Sequence, residues 1–382
     1  MVADVLVIGA GIVGAATAAA LTAAGLTVVV VDRTGPTAGT TGSGEGNILV
    51  SDKGAGAELD LALRSRVLWD GIVAELGAET IEAEFKGGLV VVREPEQLAL
   101  LETFADGQRA SGVQVQKVGP DGLHELEPHL ADGLPGGILY PQDMQVQPML
   151  TAAHLLRLAA SRGSRTINGA EVLGPLGGPG RITGVRTTKG DIPARYVVNA
   201  TGTWAGEVAA KLGAPIPVLP RRGFVLVTEP LPNLVRRKVY TADYVANVAS
   251  GDAGLETSLV VEGTKSGTIL IGASRERVGF DHRLSVTAVQ RLAAQAVRLF
   301  PVLAGVDLIR TYHGFRPYCP DHLPVIGPDP RVEGLLHACG HEGAGIGLAP
   351  ATAELITAAI TGAAPAVDPS HFRADRFAEV PV

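Results

Sequence analysis

The sequence predicts a two-domain α/β protein, in which a Rossmann-like layer is interrupted by an α+β unit built on an antiparallel sheet. Three observations predict it. The first residues read strand, glycine turn, helix, strand. An acidic residue closes the second strand, and residues 217–280 break into short β-rich runs. With 382 residues, 46% of them hydrophobic, the chain can bury more than one core. The expected division assigns 1–85, 140–216 and 317–382 to the Rossmann-like domain and 86–139 and 217–316 to the other.

Each element has a local reason. DVLVI (4–8) is a short apolar run of the fully buried parallel-strand type. The Ala-rich segment 12–24 forms a helix that Gly25 stops, and LTVVVVD makes the next strand. Residues 34–51, rich in Gly, Thr and Ser, read as a long loop. A helix over 58–76, a strand over 86–93 and a helix over 96–111 follow, then Gly/Pro punctuation over 119–139. The apolar pattern of 147–162 is helical, 171–173 is a strand, and 182–202 reads as a hairpin leading into the buried strand YVVNA. FVLVT (224–228), SLVVEG (258–263) and TILIGA (268–273) supply the antiparallel sheet. Helices are expected over 287–300 and 348–360, the latter with Pro350 in its first turn.

Composition narrows the function. A net charge of −7 with no basic run argues against a nucleic-acid footprint. Cys319 and Cys339 are the two cysteines, too few for a disulfide framework, so a reducing cytoplasm is expected. Residues 5–31 carry no charge, but Gly9, Gly11, Gly14, Gly25 and the run Val28–Val31 break them into strand, turn, helix and strand rather than a membrane span. No nucleophile elbow, P-loop or HExxH motif is present, and Glu82 and Glu84 read as a solvated face.

Gly9-Ala-Gly11-Ile12-Val13-Gly14 matches G-x-G-x-x-G between a strand and a helix, with Asp32 eighteen residues beyond the last glycine. Such glycines permit a tight turn, backbone approach to a pyrophosphate and close helix–strand packing, and the helix N-terminus favours the phosphate charge. Asp32, followed by Arg33, accepts ribose hydroxyl protons and repels a 2′-phosphate, which disfavours NADP. FAD and NAD share this pattern.

Beyond this point the chain resembles the D-amino acid oxidase superfamily of flavoproteins, over residues 4 to about 361. The resemblance rests on GAGIVG, GTTGSGEGNI (39–48), Val172, VVNATGTWA (197–205), PRRGF (220–224), HGFRPYCPDHLPVIG and CGHEGAGIGLAP, in that order. It implies a glutathione-reductase-type FAD domain. It implies noncovalent FAD, because Cys319 lies too close to Asp321 to match the family cysteine that binds flavin. Thr41, Ser43, Gly44, Glu45, Gly46 and Asn47 would lie along the pyrophosphate and isoalloxazine. Val172 would meet the adenine, and Ala200, Thr201, Gly202 and Trp204 would close over the cofactor. Gly343, Gly345, Ile346, Gly347 and Leu348 would present a helix N-terminus to the flavin's pyrimidine edge.

The same resemblance makes Arg316 the guanidinium fork for a substrate carboxylate, a structural ion pair being the alternative. His313, Tyr318 and His341, with Glu342, Tyr240 and Tyr244, are further candidates for the pocket, each open between packing and catalysis. The strand 258–261 lacks the carboxylate-binding tyrosine that glycine oxidase carries there, so substrate recognition should differ. Cys339, His341 and Glu342 lack partner ligands, and no metal is expected.

The implied reaction is oxidation of a D-amino acid, a proline-like imino acid or an opine. Hydride passes from the α-carbon to flavin N5 and an imine forms, with no protein base needed once the amine is neutral. GEGNILVSDK and GHEGAGIGLAP look most similar to beta subunits of hydroxyproline and opine dehydrogenases, which implies a small iron–sulfur or second flavin-binding partner. The alternatives are a self-sufficient glycine, sarcosine or D-amino acid oxidase that makes peroxide, and a noncatalytic FAD-binding subunit of an electron-transfer complex.

Overall fold

The structure, a computed structural model, describes residues 2–244 and 250–377. Its first sheet is centred on Ala3–Ile8, flanked by Val28–Asp32 and Gly190–Asn199, both parallel to it. Arg165–Asn168 extends it in parallel on one side and Leu335–Cys339 on the other, while Val325–Pro328 closes that edge antiparallel. The expected hairpin forms between Arg181–Thr187 and Gly190–Asn199, with Val172–Gly178 pairing on its outer side. The three valines of Val28–Val30 and their neighbours alternate into cores on both faces, as a covered parallel sheet requires. Helices Ile12–Ala23, Pro148–Ser161 and Gly345–Thr361 cover one face, and Ala15, Ala18 and Ala19 let them approach closely.

The second sheet runs in the order Leu308–Tyr318, Leu219–Thr228, Ile269–Arg275, Glu256–Gly263, Lys238–Thr241, Gly88–Val92, Gly136–Tyr140, Gln116–Val118. It departs from the expected all-antiparallel arrangement at one place: Lys238–Thr241 and Gly88–Val92 pair in parallel, Val239 opposite Leu89. Those strands are far apart in the chain, and an apolar run carries no sign of its direction. Helix Val286–Leu299 covers the outer face, burying Ala288, Leu292, Ala296 and Leu299 at helical spacing.

Three further expectations are corrected. The 34–51 stretch is not all loop: Thr40–Ser43 is a 3₁₀ turn, and Asn47–Ile48 pairs with Met144–Gln145. Residues 119–139 hold a short helix, Pro120–Leu126. The C-terminal helix starts at Gly345, not Leu348, so Pro350 lies within it rather than in its first turn. Among the described residues no helix is long and apolar enough to cross a membrane.

Candidate active site

A cavity of about 670 Å³ runs from the carboxyl ends of the parallel strands to the face of the second sheet. At its first end Gly9 turns the chain with φ +108°, and a Cβ there would sit 2.4 Å from the Ala200 carbonyl oxygen. Gly11, Ile12 and Val13 form the wall, whereas Gly14 lies behind it. A Cβ on Gly14 would be 2.0 Å from the Gly9 oxygen, so this glycine serves helix–strand contact. The Thr41 hydroxyl accepts from the Ile12 amide at 3.0 Å and so fixes the loop to the helix N-terminus. Asp32 is held from both sides: one oxygen accepts from the Ala10 amide at 2.9 Å, the other from Thr34 and Gly35. Arg33 lies 4.0 Å over the Trp204 ring, which stacks on Phe280.

Val172, Ala200, Thr201, Gly202 and Trp204 continue the wall, as do Thr41, Ser43, Gly44, Glu45 and Asn47. Gly46 stands outside it, because a Cβ there would be 1.8 Å from the Val146 oxygen, and its absence lets the two short strands meet. Two buried acceptors in the wall, Glu45 Oε1 and Asn47 Oδ1, have no hydrogen-bond partner among the described residues. A glycine turn at a helix N-terminus, an anchored aspartate at the next strand end and unpaired acceptors further along together fit a bound dinucleotide with a polar ring system.

The other end is built by strand register. Arg221 pairs with Arg316 and Gly223 with Gly314 across Leu219–Thr228 and Leu308–Tyr318. Arg316 Nη1 donates to the Ser274 carbonyl oxygen at 2.8 Å, which leaves its other donors free to face the cavity. Burial and the neighbouring Arg275 lower its pKa to about 10, so it stays charged near neutrality. Gly223 makes room for it: a Cβ there would lie 2.1 Å from Nη1. Gly343, Gly345 and Ile346 line the wall opposite, while Gly347 and Leu348 pack behind them.

The histidines separate in role. His341 is buried, its Nε2 lies 2.9 Å from the Thr352 hydroxyl, and burial pushes it down to about 3, so it is neutral at physiological pH. His313 lies in the wall with Nε2 3.2 Å from His282 Nδ1, and burial and its neighbours lower it too. Tyr318 does not reach the cavity; its ring packs against Arg221, Arg277 and His322. Tyr240 also turns away, to Ser51, whereas Tyr244 lines the cavity. Glu342, at φ +45°, faces Arg221 at 3.6 Å and His322 at 3.1 Å. The side chains of His341 and Glu342 therefore diverge to different partners instead of converging on one point. Phe280, His282 and Val225 also line the wall. No motif marks them; strand pairing and the turn after Arg275 bring them there.

Comparison with known proteins agrees with this geometry. A family model described as DAO, FAD dependent oxidoreductase, matches residues 4–359. The hydrogen cyanide synthase subunit HcnC of Pseudomonas aeruginosa is 34% identical over 313 residues, 80% of this chain and 69% of that protein. Glycine oxidase of Geobacillus kaustophilus is 30% identical over 367 residues, 92% of this chain and 91% of that protein. Its crystal structure superposes with a TM-score of 0.88 over 98% of both chains at 27% identity. L-proline dehydrogenase from P. horikoshii shares the fold, with a TM-score of 0.89 over 99% of this chain and 98% of that one, at 24% identity. The chain belongs to the DAO family of FAD-dependent oxidoreductases.

Proposed function

We propose that the chain oxidises a small amino or imino acid at the carbon that bears its nitrogen. The observation that supports this most is Arg316, a charged guanidinium with free donors in the wall of the cavity. A planar fork grips a carboxylate at two points and so fixes the adjacent carbon. Bound FAD would supply the two-electron acceptor for the C–H bond next to nitrogen. Gly314 lets the strand that carries Arg316 pass close to Ser43, since a Cβ there would lie 2.5 Å from Ser43 Cβ. The neutral imidazoles of His313 and His341 add no positive charge beside an amine, and burial keeps the Tyr244 phenol protonated. An amine that arrives neutral needs no side-chain base in this wall, and water hydrolyses the imine after release unless the ring of a cyclic substrate keeps it.

Anaerobic addition of glycine, sarcosine, D-alanine, D-proline and hydroxyproline to the FAD-loaded protein tests this reading. At least one should bleach the flavin, and Arg316→Ala should lower the rate at subsaturating substrate by on the order of 100-fold or more. No bleaching by any of them, nor by iminodiacetate or D-aspartate, would overturn it. HcnC is named a subunit, which supports a second part of the reading: electrons leave to a partner, an iron–sulfur or second flavin-binding protein, rather than to oxygen. Rapid reoxidation by air with stoichiometric peroxide would instead identify a self-sufficient oxidase.

A further inference from the structure

At the Arg316 end of the cavity, Glu45 is an acid whose outer oxygen is left without a partner. It lines the wall, it is 9% exposed, and its Oε1 has no hydrogen-bond partner among the described residues. Its other oxygen accepts from the Asn47 side-chain amide at 3.1 Å. Gly272 makes the room for Oε1: a Cβ there would lie 2.3 Å from it and would push the carboxyl away. Two residues further along the same strand, the Ser274 carbonyl oxygen takes Arg316 Nη1 at 2.8 Å. Strand Ile269–Arg275 therefore backs both groups. They are close enough that each shifts the other's acidity, Arg316 drawing the Glu45 acid down and Glu45 holding the Arg316 guanidinium up.

The charged groups that face Glu45 leave it no cation of its own within the wall except Arg316. Lys238, on Lys238–Thr241, binds Glu262 of the next strand at 2.7 Å. Tyr312 comes from the same strand as Arg316 and donates to the Gly44 carbonyl oxygen at 3.4 Å, and Tyr244 lines the cavity nearby. Burial raises both phenols. Burial opposes the charge of Lys238, but Glu262 and Glu45 outweigh it and raise its pKa, and Arg316 is lowered only to about 10. None of these four changes charge from about pH 6 to pH 9. Burial pushes the Glu45 acid upward, which makes its carboxylate a stronger proton acceptor than an exposed one.

We infer that Glu45 is the catalytic base of the oxidation, its Oε1 taking a proton from the nitrogen of a substrate that arrives as an ammonium ion. This rests on the proposed amino acid oxidation, with Arg316 holding the carboxylate. An amino acid carries its nitrogen and its carboxylate on one carbon, so a carboxylate gripped by Arg316 brings the nitrogen to a group backed by the same strand. One N–H bond breaks and one O–H bond forms on Glu45. The lone pair so freed forms the C=N bond as the α-hydrogen leaves with its electron pair to bound FAD, the oxidant, and a protonated imine results. Glu45 returns its proton to solvent before the next substrate binds.

The test follows the rate of anaerobic flavin bleaching from about pH 6 to pH 10, at a subsaturating concentration of a substrate that bleaches the FAD-loaded protein. In the wild type the rate should level off roughly one pH unit or more below the titration of the free substrate's ammonium group, because Glu45 removes that proton. Glu45→Gln keeps the size of the side chain and an acceptor for Asn47. Its rate should be ten-fold or more lower at pH 7 and should climb about ten-fold per pH unit until the free ammonium group itself titrates. A Glu45→Gln rate lower by one constant factor at every pH would show a structural role and overturn the inference. A wild-type rate that levels only with the free ammonium group would mean that the neutral amine is taken directly from solution. That result overturns the inference while the oxidation reading stands, and it decides the matter even if the variant fails to fold or to hold FAD. If no substrate bleaches the flavin, the oxidation reading falls and the inference with it.

Discussion

At the scale of single residues, the site depends as much on missing side chains as on charged ones. Gly223 is the sharpest case. Its hypothetical Cβ lies 2.1 Å from Arg316 Nη1 and 2.5 Å from the Ser274 oxygen, the two atoms of one hydrogen bond. Gly223→Ala must therefore displace the guanidinium without touching the cofactor end of the cavity. Loss of a charge-assisted carboxylate contact of about 1.5–3 kcal/mol should raise the substrate dissociation constant on the order of 10- to 100-fold. The flavin spectrum should be unchanged, and a normal substrate affinity in titration would show that Arg316 is not the anchor. The two cysteines give a second prediction. Cys319 stands outside the cavity wall, and burial pushes its thiol up to about 12. Cys339 lies in the wall but is 1% exposed, with its thiol pushed well up. Neither offers a thiolate, the form that attacks a flavin ring. Acid precipitation should release the yellow colour to the supernatant, and a coloured pellet would contradict noncovalent binding.

At the scale of elements, the C-terminal helix shows how tertiary contacts rescue a sequence that local rules reject. Gly345, Gly347 and Pro350 all disfavour a helix interior, which is why its start was expected three residues later. The structure compensates with helix Ala57–Leu76: the buried Ser65 hydroxyl donates to the Gly347 carbonyl oxygen at 2.6 Å and accepts from the Ala351 amide at 3.3 Å, bridging the interrupted ladder. Trp69 adds a second bond to the same carbonyl at 3.0 Å. Ser65→Ala should cost about 1–3 kcal/mol, because it leaves a buried amide without a partner. Chemical denaturation measures this, and a change below about 0.5 kcal/mol would show that the bridge is dispensable. The N-terminal strand–turn–helix–strand unit was legible because Gly9, Gly14 and Asp32 each answer a local backbone requirement. The parallel pairing of Lys238–Thr241 with Gly88–Val92 was not, because direction is set by contacts about 150 residues apart that no period records.

At the scale of the whole molecule, the motifs named the wall of the cavity near the helix N-terminus and, at the other end, Arg316 and His313, but not every residue that strand register delivers. Phe280 and His282 follow the last β-rich run without any pattern, and only the tertiary structure brings them into the cavity wall, Phe280 onto Trp204. The same long-range assembly places Asp143 at a junction of three chain segments. Its carboxylate accepts from the Val50 amide at 2.8 Å and from the Ser51 hydroxyl, which also accepts from Tyr240 on the second sheet. Tyr140 reaches Gln108, whose amide donates to the carbonyls of Ser51 and Lys53, so the loop after Asn47 is tied to the second sheet through buried polar groups. Asp143 is 1% exposed, and burial pushes its acid up to about 7 from an ordinary 3.8. The folded protein therefore keeps this proton to higher pH than the unfolded chain does. The contribution to stability is fully present below the unfolded value and is lost as pH rises through about 7. A shift of about three units corresponds to a loss of about 4 kcal/mol between pH 4 and pH 8. Asp143→Asn keeps an acceptor for Val50 or Ser51 but cannot ionise. Glu58 and Glu127, also pushed up to about 7 by burial, titrate alike in both proteins, so the difference between them isolates Asp143. The melting temperature of the wild type should fall relative to Asp143→Asn as pH rises from 5.5 to 8.5. Parallel melting curves across that range would mean that Asp143 is ionised in the fold and that the junction holds a charge rather than a shared proton.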